Sequence, residues 1–232
     1  MFKNKKIEKL YIILSAIFIA SLVSCNLIFQ KFFQIEIWIP FYGNYIFEQS
    51  VGLLAYPITF LVTDIISEIY GQNKANQVVT AGLFASVFML LVVTVADFIP
   101  MAPWSPVDSI TFSKVFGLSG AAVLASMLAY LIAQYIDIRI FHFWKKLTNG
   151  KHLWLRNNAS TIFSQFVDTF SVLFLLCSFD VISWDRFSIL LLNGFLFKVF
   201  FAAFDTPIIY VLTHFIRKRF GLKFGEEISS IK

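Results

Sequence analysis

The chain has 232 residues, of which 58% are hydrophobic and only 14% are charged. Soluble domains carry about 25% charged residues, so this composition excludes an ordinary soluble domain and predicts an integral membrane protein. The formal net charge is +5, but the basic residues lie at the ends of apolar segments, which indicates contact with anionic lipid headgroups rather than with nucleic acid.

Six apolar segments follow one another, each close to the roughly 20 residues that a membrane-spanning helix needs. We therefore predict an all-α integral membrane protein, a six-transmembrane-helix bundle that forms a single domain over residues 1–232. The predicted spans are residues 10–32, 51–70, 77–98, 118–141, 157–179 and 187–216.

Basic residues collect before the first span, around the end of the fourth and after the sixth. Lys145 and Arg217 belong to the last two groups, and we expect both at the headgroups. Because cytoplasmic ends of spans accumulate Lys and Arg, both termini are predicted to be cytoplasmic.

Two outer connections have patterns of their own. Residues 34–39 alternate polar and apolar side chains and precede Pro40, Gly43 and Asn44, which predicts a short hairpin or an interfacial ribbon over the outer mouth. Residues 100–106 contain three prolines and are expected at the membrane interface.

The second span contains Asp64 and Glu68, spaced i, i+4 on one helical face that Thr63 and Ser67 extend. A carboxylate in a membrane helix costs roughly 2.5 to 3.5 kcal/mol on insertion scales. The stripe is therefore predicted to face the interior of the bundle rather than lipid.

Residues 57–71 read P-x-x-F-x-x-T-D-x-x-x-E-x-Y-G, and here the chain resembles the queuosine-precursor transporters, also called the vitamin uptake transporter family. The resemblance covers nearly the whole chain, with least support between Asp97 and Phe116. It continues at Asn26, Lys31, Ser126, Ala129, Tyr130, Gln134, Asp137, Arg156, Asn157, Ser160, Thr161, Gln165, Asp168, Thr169, Lys198, Thr206, Pro207 and Tyr210.

The resemblance implies a multi-pass transporter of the bacterial cytoplasmic (inner) membrane. Its expected cargo is a 7-deazaguanine base, such as 7-cyano- or 7-aminomethyl-7-deazaguanine or queuine, imported for tRNA modification. No enzymatic activity, cofactor, metal or nucleic-acid partner is expected.

Two more spans carry polar faces: Ser126, Tyr130, Gln134 and Asp137 in the fourth, and Thr161, Gln165 and Asp168 in the fifth. Three such faces predict a central polar pathway, with a purely structural hydrogen-bond network as the alternative.

Asp168 and Lys198 both fall near the bilayer middle, counting about 1.5 Å per helical residue. We therefore expect Asp168 and Lys198 to form an ion pair, with Asp205 as the alternative partner of Lys198.

Within this pathway, carboxylates would accept the N–H donors of a guanine-like edge, amides would satisfy its carbonyl side, and Tyr56, Phe60, Tyr130 or Phe166 would stack on its face. The candidate substrate-binding or translocation residues are Asn26, Thr63, Asp64, Glu68, Tyr130, Gln134, Arg156, Gln165, Asp168 and Lys198.

The first span carries two small residues, Ala16 and Ala20, four positions apart, and this pattern indicates an alternative function. This pattern also resembles the substrate-binding subunits of energy-coupling-factor vitamin importers, which share a six-helix layout. In that case the chain would need a membrane coupling protein and ATPases as partners. Coupling to protons, coupling to Na⁺, facilitated diffusion and a homodimer all stay open.

Overall fold

The computed structural model describes residues 2–40, 43–117 and 120–228. In these ranges, seven α-helices accompany one antiparallel pair of strands. The elements are α1 (Phe2–Ile28), β1 (Phe32–Ile39), β2 (Gly43–Ser50), α2 (Tyr56–Tyr70), α3 (Gln72–Phe98), α4 (Ser109–Phe116), α5 (Gly120–Leu147), α6 (Leu153–Ser178) and α7 (Phe187–Phe220).

The helices α1, α3, α6 and α7 are long and apolar enough to cross a membrane, as is α2 together with the 3-10 turn before it. Helix α5, with 28 residues, is also long enough. The chain is therefore an α-helical integral membrane protein. Both α5 and α7 continue beyond the predicted spans, because a helix keeps its backbone hydrogen bonds past the hydrocarbon layer.

Helix α2 lies at the centre of the bundle, in contact with α1, α3, α5 and α7. Its polar face points inward as predicted: Thr59, Thr63, Asp64, Ser67 and Glu68 are all buried. Burial against other helices replaces contact with lipid, which is the arrangement that makes carboxylates tolerable at this depth.

Gly71 alone separates α2 from α3, and its φ of +85° lies in the left-handed region that favours glycine. The helix after it starts at Gln72 rather than at the predicted residue 77. Residues 72–76, most of them polar, form its first turns, and hydropathy leaves them out of the apolar segment.

The predicted hairpin is confirmed and is longer than expected, with pairing from Phe32 opposite Ser50 to Ile39 opposite Gly43. It docks on the start of α7, where the Tyr45 hydroxyl contacts Asn193. The Asn193 amide in turn donates to the Glu48 carbonyl oxygen at 3.0 Å. The first predicted span ends early, at Ile28, because the next residues turn into this hairpin.

The connection between α3 and α5 contains the short helix α4, which sequence analysis missed. The Asp108 carboxylate caps it by accepting from the Thr111 amide at 2.8 Å. Eight residues are too few to cross a membrane, so a search for spans does not detect such a helix.

Candidate functional site

The inward face of α2 meets buried charged side chains at three successive depths. They begin beside Tyr56 and end beside Glu68, a distance of about 18 Å along the helix at 1.5 Å per residue. The first group lies at the end of the bundle that carries the hairpin, and the third at the opposite end.

A cavity of about 160 Å³ occupies the hairpin end of the bundle, between α1, α2, α6, α7 and the last residues of β2. Cavities of about 150 Å³ accept benzene-sized molecules, so this one is on the scale of a small planar ligand. Most lining side chains are apolar. Its polar lining includes Asn26, Gln49, Tyr56, Tyr130, Asp168 and Lys198.

The predicted ion pair between Asp168 and Lys198 is present in this cavity, with Lys198 Nζ 2.6 Å from Asp168 Oδ2. The Tyr56 hydroxyl donates to the same carboxylate oxygen, and Lys198 Nζ lies 4.0 Å from the centre of the Tyr56 ring. Asp168 Oδ1 has no hydrogen-bond partner among the described residues. Asp168, rather than Asp205, is thus the partner of Lys198, and it keeps one acceptor oxygen available.

Several polar candidates lie on or directly beneath the cavity. The Gln134 amide donates to the Tyr130 hydroxyl at 2.6 Å, and the Thr63 hydroxyl lies 3.4 Å from Gln134 Oε1. Asn26 donates to the Ser86 hydroxyl at 3.3 Å. Gln165 is buried, with Oε1 unpartnered in the part of the chain that is described.

Aromatic rings on the cavity side come from Tyr56 and Tyr130, whose centres are 5.5 Å apart at 71°. Phe60 packs against both, at 5.4 and 6.2 Å. Phe166 was also expected to stack on a ligand, but it does not line the cavity. Its side chain is 46% exposed and contacts Phe170 and Phe195 instead. The Phe166 side chain lies on the side of α6 that faces away from its polar residues. The Ser126 side chain lies outside the described residues.

Asp64 and Asp137 form the middle group. Both carboxyl groups are buried, and they lie within hydrogen-bonding reach of each other. The Ser164 hydroxyl donates to Asp137 Oδ1 at 2.9 Å. These two acids connect α2, α5 and α6 between the cavity and the far end of the bundle.

The third group surrounds Glu68 with three cations. Arg156 Nη2 is 2.7 Å from Glu68 Oε2, Arg217 contacts Glu68 Oε1, and Lys145 Nζ is 3.5 Å from Oε2. Lys145 also donates to the Glu68 carbonyl oxygen at 3.1 Å. We refer to Glu68, Arg156, Arg217 and Lys145 as the Glu68 cluster.

For Lys145 and Arg217, the expectation of headgroup contact was wrong, since both side chains are buried. A buried carboxylate needs compensating charge, and these two cations supply it from the ends of α5 and α7. Their spacing along the sequence carries no signal of this, because the partner lies on another helix.

The segment after α7, residues 221–228, covers the Glu68 cluster. The Phe224 ring lies 4.5 Å from the guanidinium of Arg217 and 6.0 Å from that of Arg156. Glu227 Oε1 lies 3.0 Å from Lys145 Nζ. This end of the bundle is therefore closed by ion pairs and by the segment lying across them.

Among the described residues, no group of three His, Cys, Asp or Glu side chains could hold a metal ion. The buried charged groups instead pair with one another, in a bundle of apolar helices. A membrane protein with an inward polar face, a cavity at one end and a closed charge cluster at the other has the architecture of a small-molecule transporter.

Residues 50–212 match the family model described as "putative vitamin uptake transporter", and the chain belongs to this family. The resemblance seen in the sequence is thereby confirmed. By name the family consists of transporters rather than enzymes.

Three curated bacterial relatives carry matching names. A "probable queuosine precursor transporter" of Bacillus subtilis (strain 168) is 29% identical over 122 residues, 52% of this chain and 53% of that protein. The "queuosine precursor transporter" of Escherichia coli (strain K12) is 25% identical over 189 residues, 80% of this chain and 81% of the relative. A "probable queuosine precursor transporter" of Haemophilus influenzae is 25% identical over 173 residues, 73% and 71% of the two chains.

The matched region spans about half of the Bacillus protein and most of the other two. No solved structure matches the chain. Together, the family and the apolar helices define a multi-pass transporter of the bacterial inner membrane.

Proposed function

We propose that this chain imports queuosine precursors, namely 7-deazaguanine bases such as 7-cyano- or 7-aminomethyl-7-deazaguanine or queuine, for tRNA modification. The names of the three relatives support the substrate class. The observation that carries the proposal in this chain is the cavity beside Asp168 and Lys198, where one oxygen of a buried carboxylate has no hydrogen-bond partner among the described residues.

The cavity offers what a guanine-like base requires. Asp168 Oδ1 accepts an N–H of the base, and Lys198, 2.6 Å from Oδ2, keeps the carboxylate in position. The amides of Asn26 and Gln49 lie where they can pair with the carbonyl edge. The rings of Tyr56 and Tyr130 supply stacking surface, a contact worth roughly 1 to 3 kcal/mol per base.

The single domain crosses the membrane six times in this proposal, through α1, α2, α3, α5, α6 and α7. The charge distribution supports cytoplasmic termini, so the hairpin and the cavity face outward and the Glu68 cluster faces the cytoplasm. The described conformation is then the one that receives the substrate, and release requires the Glu68 cluster to open.

Each remaining candidate has a place in this pathway. Asn26, Tyr130, Asp168 and Lys198 line the cavity, while Thr63, Gln134 and Gln165 form its polar floor. Asp64 lies in the middle group, and Glu68 and Arg156 form part of the inner closure. We predict that Asp64→Asn abolishes accumulation of the base above its external concentration while folded protein stays in the membrane; preserved accumulation would remove Asp64 from the pathway.

The deciding experiment measures queuosine in tRNA from bacterial cells that cannot make 7-deazaguanines but retain the enzymes that use them. The cells express this chain alone and receive one base at nanomolar concentration. Queuosine appearing with a given base supports the proposal and identifies that base. Cells carrying an empty vector set the background.

No queuosine with any base, from a chain shown to be folded in the membrane, contradicts the proposal. That result would favour the alternative function, a subunit of a multi-component vitamin importer, which the names of the relatives do not favour. Co-purification with a coupling protein and ATPases would then be the next measurement.

A further inference from the structure

Asp64 and Asp137 are two carboxylic acids that the proposed binding of a base leaves unexplained. Asp64 is 2% exposed, Asp137 is 0% exposed, and the two lie within hydrogen-bonding reach of each other. One oxygen of each, Asp64 Oδ1 and Asp137 Oδ2, has no hydrogen-bond partner among the described residues.

Hydroxyl groups surround the pair of carboxylic acids. From α6, the hydroxyls of Ser160, Thr161 and Ser164 approach Asp137. The buried Thr161 hydroxyl has no partner elsewhere in the described chain.

The charged groups that face Asp64 are Arg156 from α6 and Asp205 from α7. Arg156 is occupied by Glu68, its ion-pair partner at 2.7 Å. Asp205 adds negative charge, and Glu68 itself lies one turn further along α2. No cation is therefore dedicated to the two acids within the described residues.

Two adjacent carboxyl groups in a dehydrated interior cannot both be ionised, because like charges at contact repel strongly in a low dielectric. One bound proton removes the repulsion and supplies the donor that their contact needs. A proton needs only the two carboxyl groups that approach each other, whereas Na⁺ would require several oxygens arranged around it.

We propose that Asp64 and Asp137 form the proton-binding site of this transporter, and that a proton taken up there moves inward together with the substrate. The site lies between the cavity and the Glu68 cluster, on the route that the substrate must follow. The inference rests on the proposed function, since it requires that a base is transported.

The coupling follows from hydration. While the inner end is closed, the pair is dry and holds its proton. Opening of the Glu68 cluster admits water, which raises the local dielectric and allows both carboxylates to ionise. The proton then leaves to the cytoplasm from the same side as the base, so that one proton enters with each base.

The test uses the purified full chain in proteoliposomes that contain a pH-sensitive dye, with the membrane potential clamped. The base identified by the tRNA assay is added outside as a radiolabelled compound. We expect wild-type protein to acidify the interior as the base enters. With one proton per base, a gradient of one pH unit supports up to tenfold accumulation.

Asp137→Asn is the informative variant, because it keeps the shape and removes the shared proton. We expect it to lose base-driven acidification and to reach only the external base concentration, while exchange of internal for external base continues. The matched control is Asp180→Asn, at an exposed acid with φ +56°, a conformation that Asn also tolerates. This control should behave as wild type.

The outcomes separate the two proposals. Wild-type accumulation of base without proton movement, or accumulation driven by a Na⁺ gradient at equal pH, overturns the proton site alone. Loss of exchange as well as proton movement in Asp137→Asn also overturns it, because the residue would then bind substrate or maintain the fold. A wild-type protein that binds and transports no base overturns the proposed function, and the coupling with it.

Discussion

Arg156 Nη2 lies 2.7 Å from Glu68 Oε2, and both side chains are completely buried. Glu68 is on α2 and Arg156 is on α6, so this ion pair joins the central helix to the bundle at the end opposite the cavity. Arg217 and Lys145 add two further helices to the same carboxylate. A single acidic side chain thus holds together four helices, and these are the helices that would separate in the proposed release step.

Replacement of this carboxylate should destabilise the protein. Glu68→Gln leaves Arg156, Arg217 and Lys145 buried beside one another without their shared counter-ion, which costs about 3 to 5 kcal/mol when one partner of a buried pair is lost. We expect a clearly lower thermal unfolding temperature in detergent. Glu36→Gln, at an exposed position on the hairpin, is the matched control, and equal unfolding temperatures for the two variants would contradict the role of the cluster.

The pair in the cavity predicts a rescue by charge exchange. Asp168→Lys and Lys198→Asp each place two like charges at contact, and we expect either to lower uptake at least about tenfold, because an uncompensated buried charge costs several kcal/mol. The double variant restores opposite charges and should recover part of the uptake. Lys31→Asp, at an exposed lysine, controls for the change of net charge. A double variant no better than the singles would show that position as well as pairing matters.

Cysteine chemistry provides a test of the cavity itself, because the chain has only two cysteines. Cys25 lines the cavity, whereas Cys177 is buried outside its lining. We expect a small membrane-permeant thiol reagent to modify Cys25 in a Cys177→Ser background, and bound base to slow the reaction. Cys25→Ser protein provides the control, and labelling unaffected by any transported base would place the binding site elsewhere.

Polar contacts hold the hairpin on α7, which makes its docking testable. Asn193→Ala removes the donor to the Glu48 carbonyl oxygen and the contact with the Tyr45 hydroxyl. An unpaired buried polar group costs about 1 to 3 kcal/mol. We expect faster amide hydrogen exchange in β1 and β2 with little change in the rest of the bundle. Asn73→Ala, at an exposed residue of α3, should leave hairpin exchange unchanged.

Much of the buried polar interior could be predicted from local patterns. The inward direction of the α2 stripe follows from the cost of carboxylates in lipid, and the pairing of Asp168 with Lys198 follows from their equal depth. The hairpin was visible in alternating side chains before Pro40. Each of these inferences depends on spacing within one element or on depth along the membrane normal.

The Glu68 cluster could not be predicted from such patterns. Lys145 and Arg217 are basic residues at helix ends, where the usual expectation is contact with headgroups. Their burial depends on the rotation of α5 and α7 about their own axes and on the segment 221–228 that lies across them. Neither quantity can be read from spacing within a single helix.

The sequence by itself determined the membrane environment, the inward polar face of α2, the family and the depth of the charged residues, because each depends on composition or on periodicity along one helix. Only the tertiary structure decided which charges meet. It brought Asp137 to Asp64 and three cations to Glu68, and it left a cavity beside Asp168. The physical reason is that a contact between side chains on different helices depends on how these helices rotate and pack against one another, which is a property of the whole bundle.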